Sequence, residues 1–320
     1  MSVEWFADHD VESAQAADPF LAGIQRFPVK SLDPESKERA TLVTDGALEG
    51  DREWAILDQP ATEPYDPQTA DVSGTGDYLN GKKTAAIHRI RSRFHPRSAD
   101  GPAVTLWDVD ASEAKRRFPL FDGRTQLSDS DTMSDDQHRA IQRQAHADVN
   151  EWLSEQFDRS VSVHWDGGGH HDDRARHGPT VISTATLREV AAWFGFSVES
   201  ARRRFRANLE VGGVPPFWED RLFTDTGEVV SVRIGEATIE GIHPCQRCVV
   251  PSRDPDTGTE TPQFRQTFVR RRRETLPPWT ACDRFDHPFR LMVNTRVPDV
   301  SAGDTIAVGD SLEILEIRPE

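Results

Sequence analysis

The sequence contains few cysteines and no long apolar run. Its 320 residues include three cysteines, Cys245, Cys248 and Cys282, and so few in a chain of this size fit a reducing compartment. No run of about 18 apolar residues occurs, so no transmembrane helix is expected. The first 20 residues are acidic and lack both a basic n-region and an apolar h-region, so no secretory signal is expected. These absences predict a cytoplasmic protein.

Positive charge is also scarce. The chain has 38 Lys and Arg against 54 Asp and Glu, which gives a net charge of −16. Because phosphate backbones recruit Lys and Arg, this balance argues against a general nucleic-acid binder. Most of the basic residues are arginines, and acidic residues fill the predicted loops, which indicates adaptation to concentrated salt; an ordinary acidic cytosolic protein is the alternative. The four arginines at 270–273 are interpreted as partners of surface carboxylates or as a docking site for an acidic electron donor.

Hydrophobic patterning predicts strands in both halves of the chain and helices mainly in the middle. A hydrophobic fraction of 36% with 16 Phe and 8 Trp is typical of a folded protein with a sizeable core. Strands are predicted at 21–32, 39–58, 85–94, 103–109, 160–165, 179–183, 229–242, 289–297 and 303–317. Helices are predicted at 144–157, from a cap at Ser183 or Thr184 to Gly195, and at 197–205. The remaining predicted loops are a surface insertion at 59–81, a polar segment at 122–143 and a solvated loop at 166–178.

The pair Cys245 and Cys248 admits several interpretations. A structural zinc site usually has four ligands, and the chain has no second Cys-x-x-Cys, although His243 and the histidines of the HHDDRARH stretch could complete one. A thioredoxin-like dithiol would lie at the start of a helix, whereas the Pro and Asp residues that follow here predict turns. A single metal-binding thiolate, favoured by the neighbouring cation of Arg247, and two buried cysteines without chemistry both remain open.

Four stretches that occur in a fixed order help to decide between these interpretations of the two cysteines. They are RFPVKSL, DGALEGDREWAILD, RFRANLEV at 204–211 and CQRCVVPSRDPDTG. This series resembles the MOSC family, the molybdenum cofactor sulfurase C-terminal domain, preceded by its N-terminal β-barrel domain. In pattern it is most similar to the mitochondrial amidoxime-reducing component and its bacterial homologues. The resemblance runs from about residue 21 to 316 and implies a β-rich α+β fold. An acidic leader (1–20) would precede a β-barrel-like domain (21–145) that packs on a MOSC β-barrel with flanking helices (146–320).

The resemblance also implies a cofactor and the residues that bind it. The molybdenum cofactor, with or without an added nucleotide, would lie in the cleft between the two domains, and Cys248 would be its metal ligand and the catalytic residue. A host protein needs one thiolate for the metal and cations for the phosphate. Cys245 would have a supporting role. The other cofactor-binding residues implied by the resemblance are Lys30, Ser31, Arg52, His177, Gly178, Arg206, Asn208 and Arg247.

Two stretches depart from the family pattern. Where relatives usually carry Asp, Ser or Thr donors, this chain has RARHGP, so His177 and Gly178 would have to supply the contacts. Near the C-terminus, RFDHPF keeps Phe285 but has Asp286 where reductase relatives often have glycine. Access of the substrate to the site is therefore expected to differ.

The function implied is the reduction of N-hydroxylated small molecules such as amidoximes, hydroxylamines or hydroxylated bases. Because no cysteine follows Cys282, electrons would come from a separate ferredoxin- or flavoprotein-like donor. No intrinsic iron–sulfur cluster, zinc or pyridoxal phosphate is expected. The alternative is a cofactor carrier or sulfur-transfer module that acts through a Cys248 persulfide, and a third possibility is a cofactor-binding domain without activity. A monomer without nucleic-acid or membrane partners is expected.

Overall fold

The structure is a computed structural model that describes residues 18–44, 47–63, 65, 76–98, 101–122, 135–170, 178–285 and 287–320. These residues form fifteen β-strands and five α-helices. The strands are β1 (Phe20–Arg26), β2 (Glu35–Lys37), β3 (Arg39–Thr41), β4 (Trp54–Leu57), β5 (Ile90–Ser98), β6 (Gly101–Asp108), β7 (Arg116–Pro119), β8 (Ser162–Trp165), β9 (Val181–Ser183), β10 (Leu209–Gly212), β11 (Glu228–Ile234), β12 (Ala237–Gln246), β13 (Arg290–Arg296), β14 (Thr305–Ala307) and β15 (Leu312–Pro319). The helices are α1 (Asp135–Ala145), α2 (Ala147–Phe157), α3 (Thr184–Phe194), α4 (Val198–Phe205) and α5 (Phe264–Glu274).

The largest sheet joins the two ends of the chain. It has eight strands in the order β15-β11-β12-β13-β9-β10-β1-β2. Its one parallel pair is β9 with β10, and β1 lies antiparallel to β10 with Ile24 opposite Leu209. The first strands of the N-terminal half are therefore part of the sheet of the C-terminal half. This pairing brings the loop that follows β1 beside the loop that precedes β10.

Elements that follow residue 146 likewise pack on the N-terminal half. Strand β8 pairs antiparallel with β4 of the N-terminal half. Helix α2 contributes Val149, Trp152 and Leu153 to a buried cluster that also contains Trp54 and Ile56 of β4. The described residues thus form a β-rich α+β fold, which confirms the predicted fold class, and the two halves share elements. The predicted boundary at 145/146 stays a prediction.

The predicted ends of α3 are confirmed, with Ser183 rather than Thr184 as its cap. The Oγ of Ser183 accepts a hydrogen bond from the backbone N–H of Thr186 (3.0 Å) at the start of α3, and Gly195 ends this helix in a left-handed conformation (φ 68°). Ser197 caps α4 in the same way, accepting from the N–H of Ser200. Because a cap needs a specific side-chain oxygen followed by helical spacing, it can be read directly from a sequence.

Two helices were not predicted. Residues 135–143 were assigned to a loop but belong to α1, whose few apolar residues give no helical period; its buried Gln142 instead accepts a hydrogen bond from the N–H of Trp165 (3.1 Å). Helix α5 was missed because its five arginines obscure an inward face formed by Phe264, Phe268 and Arg272. The interpretation of all four arginines 270–273 as surface residues was therefore wrong for Arg272, which is fully buried.

Two segments that were predicted to lie at the surface contain buried residues in the structure. Residues 78–81 end the predicted insertion but are buried, and Tyr78 is 1% exposed. His170 lies within the predicted solvated loop and is also 1% exposed. Its ring packs edge-to-face on Tyr78 at 5.7 Å. Local composition could not show this burial because it depends on a contact between distant segments.

A neutral histidine connects segments that are distant in the sequence and should make stability depend on pH. His146 is fully buried; its Nε2 accepts from the N–H of Phe121 (2.9 Å) and its Nδ1 lies 2.9 Å from the carbonyl oxygen of Val163. Burial lowers the pKa of His146 to about 4. The folded state therefore binds fewer protons than the unfolded state, and this contribution to stability, complete above about pH 6.5, is lost as the pH falls toward 4.

The expected loss in the free energy of unfolding from this group is ~2 kcal/mol between pH 7 and pH 5. Urea unfolding of the wild type and of His146→Gln at both pH values measures it, because glutamine removes the titrating group. The variant should show a smaller difference between the two pH values than the wild type. Equal differences in the two proteins would contradict the prediction.

Candidate functional site

A cavity of about 530 Å³ lies between the two halves of the chain. Eight of the nine predicted cofactor-binding residues line it, and the ninth, His177, lies outside the described residues, as does Asp286. The eight are Lys30, Ser31, Arg52, Gly178, Arg206, Asn208, Arg247 and Cys248. Residues separated by more than 200 positions in the sequence thus share one cavity, which we call the inner cavity.

The inner cavity is strongly cationic although the chain is acidic. Among the residues that the structure describes, its lining contains seven basic side chains and a single carboxylate, that of Asp33, whereas the whole chain carries a net charge of −16. The seven are Lys30, Arg52, Lys82, Arg203, Arg204, Arg206 and Arg247. Cations gathered in a concave, partly desolvated space attract an anionic ligand. The cavity therefore fits a ligand that carries phosphate.

Two of these arginines also hold the lining together. Arg204, 3% exposed, donates from Nη1 to the carbonyl oxygen of Pro251 (3.1 Å), which fixes the segment after the cysteines onto α4. Arg203 donates to both carboxylate oxygens of Asp256 (2.9 and 3.0 Å), a residue that also pairs with Arg91 of the N-terminal half. The prediction did not include Arg203 and Arg204; the run RRRFR before the recognised Asn208 was the available indication.

Four non-glycine residues in the lining have positive φ angles. These are Ser31 (73°), Arg52 (56°), Arg206 (57°) and Met292 (70°). Such a conformation costs on the order of 1–3 kcal/mol and persists only when the surrounding contacts impose it, so it concentrates at binding sites. Arg206 adopts it as the residue that ends α4.

One buried aromatic ring positions two of the cations. The guanidinium groups of Arg206 and Arg52 lie 4.2 and 5.0 Å from the ring centroid of Phe27, which is 1% exposed. The backbone of Phe27 donates to Oδ1 of Asp51 (2.7 Å) and accepts from the N–H of Arg52 (2.7 Å), and Asp51 also pairs with the Arg52 guanidinium. These contacts fix both charges before any ligand arrives.

Lys30 is held in a similar way. Its side chain is 6% exposed, and its Nζ donates to the carbonyl oxygen of His170 (2.7 Å) and lies 4.9 Å from the ring centroid of Tyr78. The buried segments at 78–81 and 170 therefore position this cation at the cavity.

The amide of Asn208 and the backbone of Gly178 mainly support the lining. Asn208 donates from Nδ2 to the carbonyl oxygen of Gln25 (3.1 Å) and accepts at Oδ1 from the N–H and hydroxyl of Thr180 (3.3 and 3.2 Å). Gly178 lies so close to β13 that a Cβ there would be 2.4 Å from the carbonyl oxygen of Thr295. Both residues thus hold β1, β9 and β13 together at the cavity.

The two cysteines have different surroundings. Arg247 was predicted to lie beside Cys248, but its Nη1 donates to Sγ of Cys245 (3.1 Å) and its Nη2 to the carbonyl oxygen of Phe205 (3.1 Å). The guanidinium of Arg247 thus supports Cys245, and both cysteines line the inner cavity. Within the part of the chain that the structure describes, no three His, Cys, Asp or Glu side chains are arranged to hold a metal ion.

Comparison with known protein families finds two domains in succession along the chain. Residues 19–160 match the MOSC N-terminal beta barrel domain, and residues 171–313 match the MOSC domain. The chain is a MOSC-domain protein with an N-terminal MOSC β-barrel. No curated protein matches this MOSC-domain chain. Among solved structures it is similar to the YuaD protein from Bacillus subtilis, at 10% identity and a TM-score of 0.32, over 95% of this chain and 97% of that one.

MOSC domains are associated with binding of the molybdenum cofactor and with sulfurase-like proteins. The inner cavity of this MOSC-domain protein offers what that group requires. Cys248 supplies a soft sulfur ligand, the cationic lining suits the phosphate, and two lining residues, Asn80 and His88, carry buried nitrogen atoms without a hydrogen-bond partner among the described residues. The residues present therefore fit the cofactor. In the described part of the chain, no helix has the length and apolar character needed to cross a bilayer.

Proposed function

We propose that this protein is a molybdenum-cofactor-dependent reductase of N-hydroxylated compounds such as amidoximes, hydroxylamines and hydroxylated bases. The observation that carries the proposal is the position of Cys248, which lines both the cationic inner cavity and a second, open cavity of about 520 Å³. A metal held by this sulfur would lie where a bound cofactor and an incoming small molecule meet.

The inner cavity supports the cofactor part of the proposal. Arg52 and Arg206, fixed against Phe27, together with Lys30 would hold the phosphate end, and Cys248 would hold molybdenum. When bound, the cofactor supplies the two electrons that reductive removal of an N-hydroxyl oxygen requires. The chain's own contribution is to bind and orient: it fixes the cations in advance, which lowers the entropy cost of binding.

The second cavity, which we call the outer cavity, supports the substrate part. Its lining combines two aromatic rings, Phe264 and Phe289, with Glu260 and amide side chains, and the described residues give it two arginines, against seven basic side chains in the inner cavity. A volume in this range accommodates a small organic molecule. A cavity that only served a carrier would not need such a space beside the sulfur, and this favours the reductase over the carrier.

A separate electron donor of the ferredoxin or flavoprotein type belongs to the proposal. Helix α5 borders the outer cavity through Arg265 and Gln266 and exposes three further arginines, Arg270, Arg271 and Arg273. On a chain with a net charge of −16, this helix is a cationic surface close to Cys248. It would attract an acidic redox partner through electrostatic steering.

Metal analysis and a dye-coupled assay test the proposal together. Protein produced in a host that makes the cofactor should contain close to one molybdenum atom per chain and should reduce benzamidoxime with dithionite and methyl viologen. Metal-free protein that carries cyanide-labile sulfur on Cys248 would instead identify the sulfur-transfer module. Protein that contains molybdenum but reduces no N-hydroxylated substrate would support the carrier.

A further inference from the structure

Two uncharged polar groups of the N-terminal half also line the inner cavity, beside its cations. Asn80 is 4% exposed, and its Oδ1 accepts hydrogen bonds from the N–H groups of Lys82 (2.9 Å) and Lys83 (3.2 Å). These two bonds fix the orientation of the amide, because exchange of oxygen and nitrogen would bring donors against donors. Its Nδ2 is buried and has no hydrogen-bond partner among the described residues.

His88 is the second group. Its Nε2 is likewise buried without a hydrogen-bond partner among the described residues, and the side chain lines the inner cavity. The neighbouring Gly81 leaves room for this atom, since a Cβ at position 81 would lie 3.0 Å from Nε2 of His88 and 3.0 Å from Cγ2 of Val250. Val250 comes two residues after Cys248, so this group borders the segment that carries the predicted metal ligand.

His88 differs from its cationic neighbours in charge. Burial, and then the positive charges of Arg206, Arg253 and Arg204, lower the pKa of His88 to about 4. The imidazole is therefore neutral near pH 7 and adds no charge for a phosphate. A neutral ring nitrogen and an amide N–H group are instead suited to the donors and acceptors of an uncharged heterocycle.

We propose that Asn80 and His88 form a recognition edge for the planar, uncharged heterocycle of the ligand, the pterin ring, while the cations bind its phosphate. This inference rests on the proposed cofactor binding but not on the proposed reductase activity. Buried polar groups are almost always hydrogen-bonded in folded proteins, and two unpaired groups in one cavity point to a ligand that pairs them. The edge explains why Asn80 and Gly81 of the NGKK turn are buried although the sequence predicts a surface loop.

The test measures cofactor retention and does not depend on turnover. Wild type, His88→Leu, His88→Gln and Asn80→Asp are purified with cofactor and dialysed, and the retained pterin is measured by fluorescence after oxidation, together with molybdenum. His88→Leu should retain the pterin about tenfold less tightly, which corresponds to the loss of one buried hydrogen bond. His88→Gln should restore most of the affinity because it again offers a polar nitrogen. Asn80→Asp keeps the acceptor for Lys82 and Lys83 but loses the donor, and should also weaken retention.

Thermal unfolding of the cofactor-free proteins separates a binding role from a structural one. Since Nε2 of His88 has no partner in the protein, His88→Leu should leave the unfolding midpoint of the apoprotein unchanged or raise it. His95→Leu is the matched control, because His95 lies on β5 beside Thr105 and does not line the cavity; it should retain the pterin like wild type. Wild-type retention in His88→Leu, or a lowered apoprotein midpoint that accompanies the loss of pterin, would overturn the inference. Weakened retention supports it even if no N-hydroxylated substrate is reduced.

Discussion

Cys248→Ser should remove molybdenum from the protein and lower reductase activity by at least about 100-fold, whereas Cys245→Ser should keep the metal and lower activity by about tenfold or less. A serine oxygen is a harder and far more basic ligand than a thiolate, so it does not replace the sulfur on molybdenum. Cys245 instead accepts a hydrogen bond from Arg247. Its loss should loosen that guanidinium, an effect of the size seen when a group that supports a metal ligand is removed.

Metal content and dye-coupled reduction, measured on the same preparations, check this pair of variants. Cys282→Ser is the matched control, because Cys282 is exposed and does not line the inner cavity. It should behave as wild type in both measurements. Retention of molybdenum in Cys248→Ser together with its loss in Cys245→Ser would assign the ligand to the other cysteine.

Arg272→Met should lower the free energy of unfolding by about 3–5 kcal/mol, the usual cost of leaving one member of a buried ion pair alone. Arg272 is fully buried and pairs with Asp220, and its guanidinium lies 4.2 Å from the ring centroid of Phe217. Asp220 also accepts from the hydroxyl of Thr280 (2.8 Å). Methionine keeps much of the volume, so the loss should come mainly from the unpaired carboxylate. Urea unfolding at pH 7 measures it.

The double variant Arg272→Met with Asp220→Asn isolates the charge. Because it removes both members of the pair, it should recover a large part of the lost stability. Arg271→Met is the control on the same helix, since Arg271 is exposed and pairs with Glu274 at the surface; it should change stability by less than about 1 kcal/mol. A double variant no more stable than Arg272→Met would show that packing, not charge, accounts for the effect.

The sequence was most informative where a local rule determines structure. Ser183, Gly195 and Ser197 delimit α3 and α4 because each satisfies backbone groups within its own turn. Helix α5 was missed because its buried face includes an arginine, and only the distant Asp220 makes that burial possible. Local patterning cannot reveal a partner 52 residues away.

The candidate site shows the same limit. Its predicted residues came from a resemblance in four short stretches, and those that lie in described segments line one cavity. Asn80 and His88 belong to no comparable motif. The NGKK stretch that contains Asn80 is typical of an ordinary turn. Their place in the cavity depends on contacts with the segment after Cys248 that no local pattern encodes. The direction of the Arg247 side chain likewise became clear only from its hydrogen bonds to Cys245 and Phe205.

The position of β1 in the large sheet has a consequence for biosynthesis. Its partner β10 follows far downstream: the bond from Nδ2 of Asn208 to the carbonyl oxygen of Gln25 spans 183 residues. While the ribosome is still making the first half, β1 has no neighbour on that side, and contacts of such long range form slowly. The inner cavity therefore cannot exist until most of the polypeptide has emerged. Any cofactor that the cavity binds can therefore be loaded only after β1 and β10 have met.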